Sequence, residues 1–491
     1  MERTTRKRLT QCGTRYASTV VAALAGMLFV GCGDSTPLDS GGESSSSTPP
    51  APPLPGTQMP QSEQRPGDPA KGYEALITKG YVSCGVPYSV YTLAFGEAPE
   101  WLRLAGRTGK NETLPYYYTA FTTPTGVDVV APNCLVCHGA TFKQSVVVGL
   151  GQHASDYTGD PSTQAEAVGA LLTDPAEKLE WRKWADRVKA LAPFIQMPTR
   201  GPTPADSIAA VLIAHRDQAT LAWSKEPLLG LPPAHVIPVD VPPWWRMSKK
   251  NAMFYTAAGQ GDHARIMMSA STLCTDSVEE AEAIDAYFPD VRAYLYSLTP
   301  PPYEGEIVQE KVVRGEALFG ENCARCHGVY GAEPSYPNLL IATEDVGTDK
   351  WLATGAAQYA EEYITWFNGS FYGQLGTLKP LPGYMAPPLD GIWMTAPYLH
   401  NGAVPNLWSL LHSPSRPDRW QRSFDDGDFD ETFVGWRFLS LEPAEVEGAS
   451  PSERQRIYDT TVMGYGNGGH VYGDALSDED RWALIEYLKT L

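Results

Sequence analysis

Basic residues are in short supply in this sequence. Its 38 Lys and Arg stand against 57 Asp and Glu, a formal charge of −19. No broad basic face can be assembled, which excludes nucleic acid as a partner. The balance suits a basic redox partner or an uncharged substrate, and charge alone does not choose between them. Long apolar runs are also missing, and beyond residue 30 no segment is apolar enough to cross a membrane. Alternating apolar and polar runs are few, so strands are expected to be few. The 45 Gly and 42 Pro favour loops over long elements. Histidine and cysteine are scarce, 9 and 8 in 491 residues, so their spacing carries information.

What is present starts with a targeting pattern. Arg3, Arg6, Lys7 and Arg8 precede an apolar stretch from about Val20 to Val30, too short to span a bilayer. Residues 1–31 read as a signal peptide, and their removal takes away a net +4, leaving about −23. The ending Leu28-Phe29-Val30-Gly31-Cys32 resembles a bacterial lipobox, with Phe29 departing from the usual Leu. The expectation is an exported lipoprotein of the periplasm, outer membrane or cell surface, held to a membrane only through that lipid; simple secretion is the alternative. Residues 32–70, rich in Ser, Pro, Gly and Thr, are expected to be a disordered tether.

The remainder divides into two halves, 71–303 and 304–491, on a common plan. Each holds one Cys-x-x-Cys-His and ends in an amphipathic helix: residues 277–298, bent or restarted at Pro289, and residues 476–491, with Ser477 as N-cap. In the second half, 309–322 reads as a helix leading into Cys323, with Val313, Ala317 and Leu318 at helical spacing. Residues 176–192 and 205–223 are further helix candidates.

The two motifs are Cys134-Leu-Val-Cys137-His138 and Cys323-Ala-Arg-Cys326-His327. Two thiols at that separation can attack the two vinyl groups of a haem, leaving the adjacent His beneath the iron. With so few Cys and His, roughly 0.002 such matches are expected by chance. Zinc knuckles, or one shared four-cysteine zinc site, are the competing reading; the His directly after both pairs argues against them. The expected cofactors are therefore two covalently bound haem c groups. Cys12 leaves with the signal peptide and Cys32 takes lipid or stays a lone thiol. Cys84 and Cys274 remain, either as a disulfide or as two free thiols.

Further motifs surround the second site: Val346-Gly-Thr-Asp349, Pro388-Leu-Asp-Gly-Ile-Trp393, and Thr395-Ala-Pro-Tyr-Leu-His-Asn-Gly402. They resemble the bacterial dihaem cytochrome c peroxidase superfamily, which includes the maturation enzyme MauG. Within it the likeness is closest to dihaem rubber oxygenases, carried by Pro242-Pro-Trp-Trp-Arg246, Lys249-Lys-Asn-Ala-Met-Phe-Tyr255 and Gly466-Asn-Gly-Gly-His470. The resemblance implies a mainly α fold of two cytochrome c-like haem domains with long loop insertions. It implies His327 and His470 as the two ligands of the second iron, because the Met position used by peroxidases falls here on Pro414. His400 is the other possible ligand. Thr395 and Pro397 match backbone ligands of an interdomain calcium ion.

For the first haem no sixth ligand is apparent, and the resemblance makes it the reactive one. Candidates beside its far face are His153, His263 and Arg265; Arg265 could instead pair with a haem propionate, and a structural role is the ordinary one for each. Trp245, with Trp244 beside it, matches the indole that relays electrons between haems in relatives, although paired Trp more often pack a core. Met247, Met253, Met267 and Met268 read as core. The expected activity is that of an oxidoreductase activating peroxide or dioxygen, acting on a polyisoprene-like hydrocarbon or reducing peroxide with electrons from a small redox protein. The alternative is a dihaem electron carrier without catalysis.

Overall fold

The computed structural model describes residues 56–354 and 357–491; the expected signal peptide and the lipid site Cys32 lie outside them. Two helix pairs organise what is described. The helix Gln309–Asn322 crosses the final helix Asp478–Leu488 at Gly315, where a Cβ would sit 2.1 Å from the Ala483 carbonyl oxygen. The helix Pro69–Thr78 crosses Phe288–Ser297 at Gly72, where a Cβ would sit 1.9 Å from the Asp290 carbonyl oxygen. Each crossing needs a residue without a side chain, because backbone meets backbone. The same requirement fixes the buried face of Gln309–Asn322 as Gly315, Leu318 and Phe319. Val313 and Ala317, expected on that face, are exposed.

The closing helix of the first half restarts at proline as expected: Val278–Asp285 ends, and Phe288–Ser297 begins with Pro289 in its first turn. Ser277 and Ser477 cap their helices by accepting from the Glu280 and Asp480 amides. The candidate helix at 176–192 forms as Pro175–Leu191. That at 205–223 stops at Ala214. There Asp217 Oδ1 accepts from the Ala219 and Thr220 amides, a local turn that competes with helix, and Leu221 follows at φ +63°.

Two expectations need correction. The molecule is not mainly α: 41% is helical and 14% strand, the strands forming six small sheets among the described residues. Most strands are two to five residues long, such as Val86–Pro87 and Tyr118–Thr122, too short for alternation to register in sequence. Nor is the whole of 32–70 a tether. Thr57–Gln58 pairs antiparallel with Leu339–Leu340, Met59 is buried, and Arg65 binds Asp262 at 3.0 Å and Asp285 at 2.7 Å. Asp68 then caps the helix from Pro69.

The halves share sheets. The strand Thr57–Gln58, ahead of the first half, adds to the second-half pair Leu339–Ala342 and Gly383–Met385, and the first-half strand Gly259–Gly261 pairs with Gly376–Leu378. Phe142 and Trp245 pack in the same core as Trp393 and Leu484. Cys84 and Cys274 are disulfide-bonded, with Cα atoms 5.6 Å apart. Among the described residues no helix is long and apolar enough to cross a membrane.

Candidate functional site

Both Cys-x-x-Cys-His motifs open onto one cavity of about 330 Å³. The first motif follows the hairpin of Tyr118–Thr122 and Asp128–Pro132. Asn133 locks the turn: its amide donates to the Tyr116 carbonyl at 2.9 Å and the Thr119 hydroxyl at 3.0 Å, and its oxygen accepts from the Leu135 amide. The short helix Leu135–His138 then presents Cys137 from a buried position. The His138 ring stacks on Trp244, centres 4.8 Å apart and planes at 17°. Burial pushes His138 down to about 4, partly offset by the Pro242 carbonyl, so the ring stays neutral with a lone pair for a metal.

The second motif is delivered by the helix that ends at Asn322, and the short helix Ala324–His327 follows. His327 Nδ1 is held by the Pro387 carbonyl at 2.7 Å, which fixes the tautomer and leaves Nε2 as the coordinating nitrogen. Burial lowers its pKa, the Pro387 carbonyl raises it, and Arg246 lowers it again. No residue of this short helix is fully buried, although the His327 ring is enclosed at the cavity wall, whereas Leu135, Val136 and Cys137 of the first are buried.

His470 faces His327 with ring centres 6.2 Å apart and planes at 63°. This spacing leaves room for one metal ion between the two rings, for which His327 and His470 would be the protein ligands. His470 is pushed down to about 3, mainly by burial and then by His327 and Arg416. Its loop is built for this position. Arg416 donates to the carbonyls of Asn467 at 2.7 Å, Gly469 at 2.6 Å and His470 at 3.0 Å. The His470 amide donates to Val346, and Asp349 accepts from the Gly466 amide. Gly469 has φ +69°, and a Cβ there would meet the Gly347 carbonyl carbon at 2.1 Å. The motif Val346-Gly-Thr-Asp349 is thus the seat of the Gly-rich loop carrying His470. The chemistry of these donors, paired thiols beside a neutral imidazole, fits covalently held haem.

The other residues singled out in sequence are dispersed. His263 lines the cavity; its Nδ1 meets the Tyr296 hydroxyl at 2.6 Å, its Nε2 is buried without a hydrogen bond, and burial brings it to about 4. Arg265, two residues on, turns away into a forked pair with Asp285 at 3.1 and 2.8 Å and donates to the Phe371 carbonyl. Trp245 is buried in the shared core and donates to the Asp390 carbonyl at 2.8 Å; Trp244 is the indole on the cavity wall. His153 lies against Trp436 and Arg422, away from the cavity wall. His400 is on the wall, stacked on Tyr384 at 4.1 Å. Met247, Met253 and Met267 line the cavity, whereas Met268 is buried in the core. Thr395 and Pro397 also line it, and no cluster of three or more His, Cys, Asp or Glu suited to a metal ion occurs among the described residues.

Sequence reasoning missed Arg416, which no spacing marks, and the cationic wall residues Arg246 and Lys250, although both fall within motifs it had noted. It also missed Asp206 and Asp240 on the same wall. Burial raises Asp240 well above the carboxylate range and pushes Asp206 up to about 7.

The RoxA-like, cytochrome c-like family matches residues 383–421, the segment that supplies Pro387, His400 and Arg416. The chain is 31% identical over 245 residues to the uncharacterized protein y4iM of Sinorhizobium fredii, covering 41% of this chain and 53% of that protein. It is 38% identical over 290 residues to the uncharacterized protein y4iJ of the same organism, covering 45% and 46% respectively. The chain thus spans about half the length of the curated relatives it matches. A RoxA-like cytochrome c domain, set where the second Cys-x-x-Cys-His and its proline partner meet, points to haem c as cofactor and to a redox function.

Proposed function

We propose that the chain is an exported dihaem c-type oxidoreductase that activates peroxide or dioxygen at its first site and moves electrons at its second. The observation that carries this reading is the asymmetry of the two imidazoles. His327 has His470 across from it at 6.2 Å, whereas among the described residues His138 has only Trp244 in ring contact. Haem iron ligated on both faces passes electrons, and iron with a free face can bind a small oxidant. The chain's own part is to hold each imidazole neutral by burial, to fix His327 through Pro387, and to pin His470 through Arg416. At the first site Trp244 clamps His138, and His263 offers a buried ring nitrogen to the cavity. In this reading Thr395 and Pro397 could seat a calcium ion. The resemblance to rubber oxygenases favours an unsaturated hydrocarbon as substrate; peroxide reduction fed by a small redox protein is the alternative within the enzyme class. Lipid attachment at Cys32 would keep the enzyme at a membrane surface.

Absorption and electron paramagnetic resonance spectra of the purified holoprotein test it. One high-spin and one low-spin haem per chain are expected, with cyanide or carbon monoxide binding only one. His470→Ala should convert the low-spin signal to high spin. Two low-spin haems that bind neither ligand would leave an electron carrier and end the catalytic reading.

A further inference from the structure

Arg246 is 6% exposed, lines the cavity, and makes no ion pair among the described residues. Its Nε donates to the Asp390 carbonyl at 2.9 Å and its Nη2 to the Thr395 hydroxyl at 3.3 Å; Nη1 has no hydrogen bond. The Asp390 carboxylate acts on Arg246 through space but pairs directly with Lys249 at 2.6 Å and makes no hydrogen bond to the guanidinium. Lys250, also on the wall, donates only to the Phe254 carbonyl at 3.2 Å.

Of the other buried arginines, Arg292 and Arg422 also lack an ion pair among the described residues, but neither lines this cavity and each lies over an aromatic ring; the rest are compensated. Arg187, Arg216, Arg265 and Arg481 each meet a carboxylate, and Arg107 is spent on three carbonyls. An enclosed guanidinium without a counter-charge is strongly disfavoured, so something anionic is needed at Arg246. The wall carboxyls do not supply it: Asp240 accepts from the Tyr255 hydroxyl at 3.3 Å and burial favours its neutral form, as it does for Asp206.

We propose that Arg246, with Lys250 beside it, binds the propionate carboxylates of the haem carried by Cys323 and Cys326. The inference rests on the reading of that motif as a haem site. A guanidinium presents parallel N–H donors that match a carboxylate, and the free Nη1 can provide one of them. The Asp390 carbonyl and Thr395 hydroxyl hold the fork in place from behind. Arg246 thereby becomes a positioning residue that fixes the porphyrin edge and balances its charge.

The test uses the holoprotein, its Arg246→Gln, Arg246→Lys and Lys250→Gln variants, and three readouts. Mass of the denatured chain first counts attached haems; a wild-type chain without haem at Cys323 and Cys326 removes the underlying reading. With haem in place, Arg246→Gln uncovers carboxylate charge near the iron and favours the ferric form. We expect at least a tenfold shift, about 59 mV downward for a one-electron couple, in the midpoint potential of the low-spin haem. Arg246→Lys should recover most of it, and Lys250→Gln should shift it in the same direction by less. A packing role alone would lower stability in both Arg246 variants and leave the potential in place, which overturns the proposal. A crystal structure of the wild-type holoprotein decides independently of any variant's folding: a propionate oxygen within hydrogen-bond distance of Arg246 supports the proposal, and none refutes it.

Discussion

The helix leading into Cys323 contains two glycines that make opposite predictions. A Cβ on Gly315 would lie 2.1 Å from the Ala483 carbonyl oxygen and 2.8 Å from Tyr487 Cβ. The helices would have to separate by roughly 1 Å or more to restore ordinary contact. Overpacking of this kind costs about 1–3 kcal/mol. Alanine returns about 1 kcal/mol of helix propensity, so Gly315→Ala should lose up to about 2 kcal/mol net. Gly320 lies in the same helix with nothing within 4 Å of a Cβ. There the same substitution should gain up to about 1 kcal/mol. Urea denaturation of the holoproteins, followed by far-ultraviolet circular dichroism, should separate the two variants by about 1–3 kcal/mol, the overpacking cost, because the propensity gain is common to both. The Soret band should report Gly315→Ala as well, because the helix leads directly into Cys323. Equal midpoints for the two variants would refute the close crossing and the placement of the helix that leads into Cys323.

Other sites give further expectations. Asp276 pairs with Arg216 at 3.1 Å and Arg187 at 2.7 Å, both buried, so Asp276→Asn should cost on the order of 3 kcal/mol at pH 7. Burial alone would raise this carboxyl, but Arg216, Arg187 and Lys183 hold it below its ordinary value. The deficit is therefore full above about pH 4 and shrinks as pH falls through the lowered pKa; a gap unchanged at pH 2.5 would refute the pairing. The Cys84–Cys274 bond closes a separation of 190 residues, and Cys84→Ser should destabilise by about 2–5 kcal/mol in chemical denaturation. An unaltered midpoint would refute its contribution.

Much of the second site was legible because its signals are local. The Cys-x-x-Cys-His spacing, the leading helix and the Gly-rich run to His470 are contiguous in sequence, and the structure brings them together. What was not legible depended on distant partners. Pro69–Thr78 escaped notice because the Ser- and Pro-rich stretch before it reads as linker, although Gly72-Tyr-Glu-Ala-Leu76 parallels Gly315-Glu-Ala-Leu318. Arg265 and His263 sit two residues apart, and only the placement of Asp285 decides that the arginine turns inward to a carboxylate. Trp244 and Trp245 are alike in sequence; the Asp390 carbonyl claims one and His138 the other. The strands escaped because pairs of residues cannot display a period.

The strands shared between halves have a consequence for electron movement. With Thr57–Gln58 and Gly259–Gly261 stitched to segments more than a hundred residues away, the two Cys-x-x-Cys-His sites are tied into one frame among the described residues. The span an electron would tunnel across is then set by the architecture itself and not by any domain closure. Under the proposed dihaem reading, transfer between the sites should accordingly proceed at a rate insensitive to solvent viscosity.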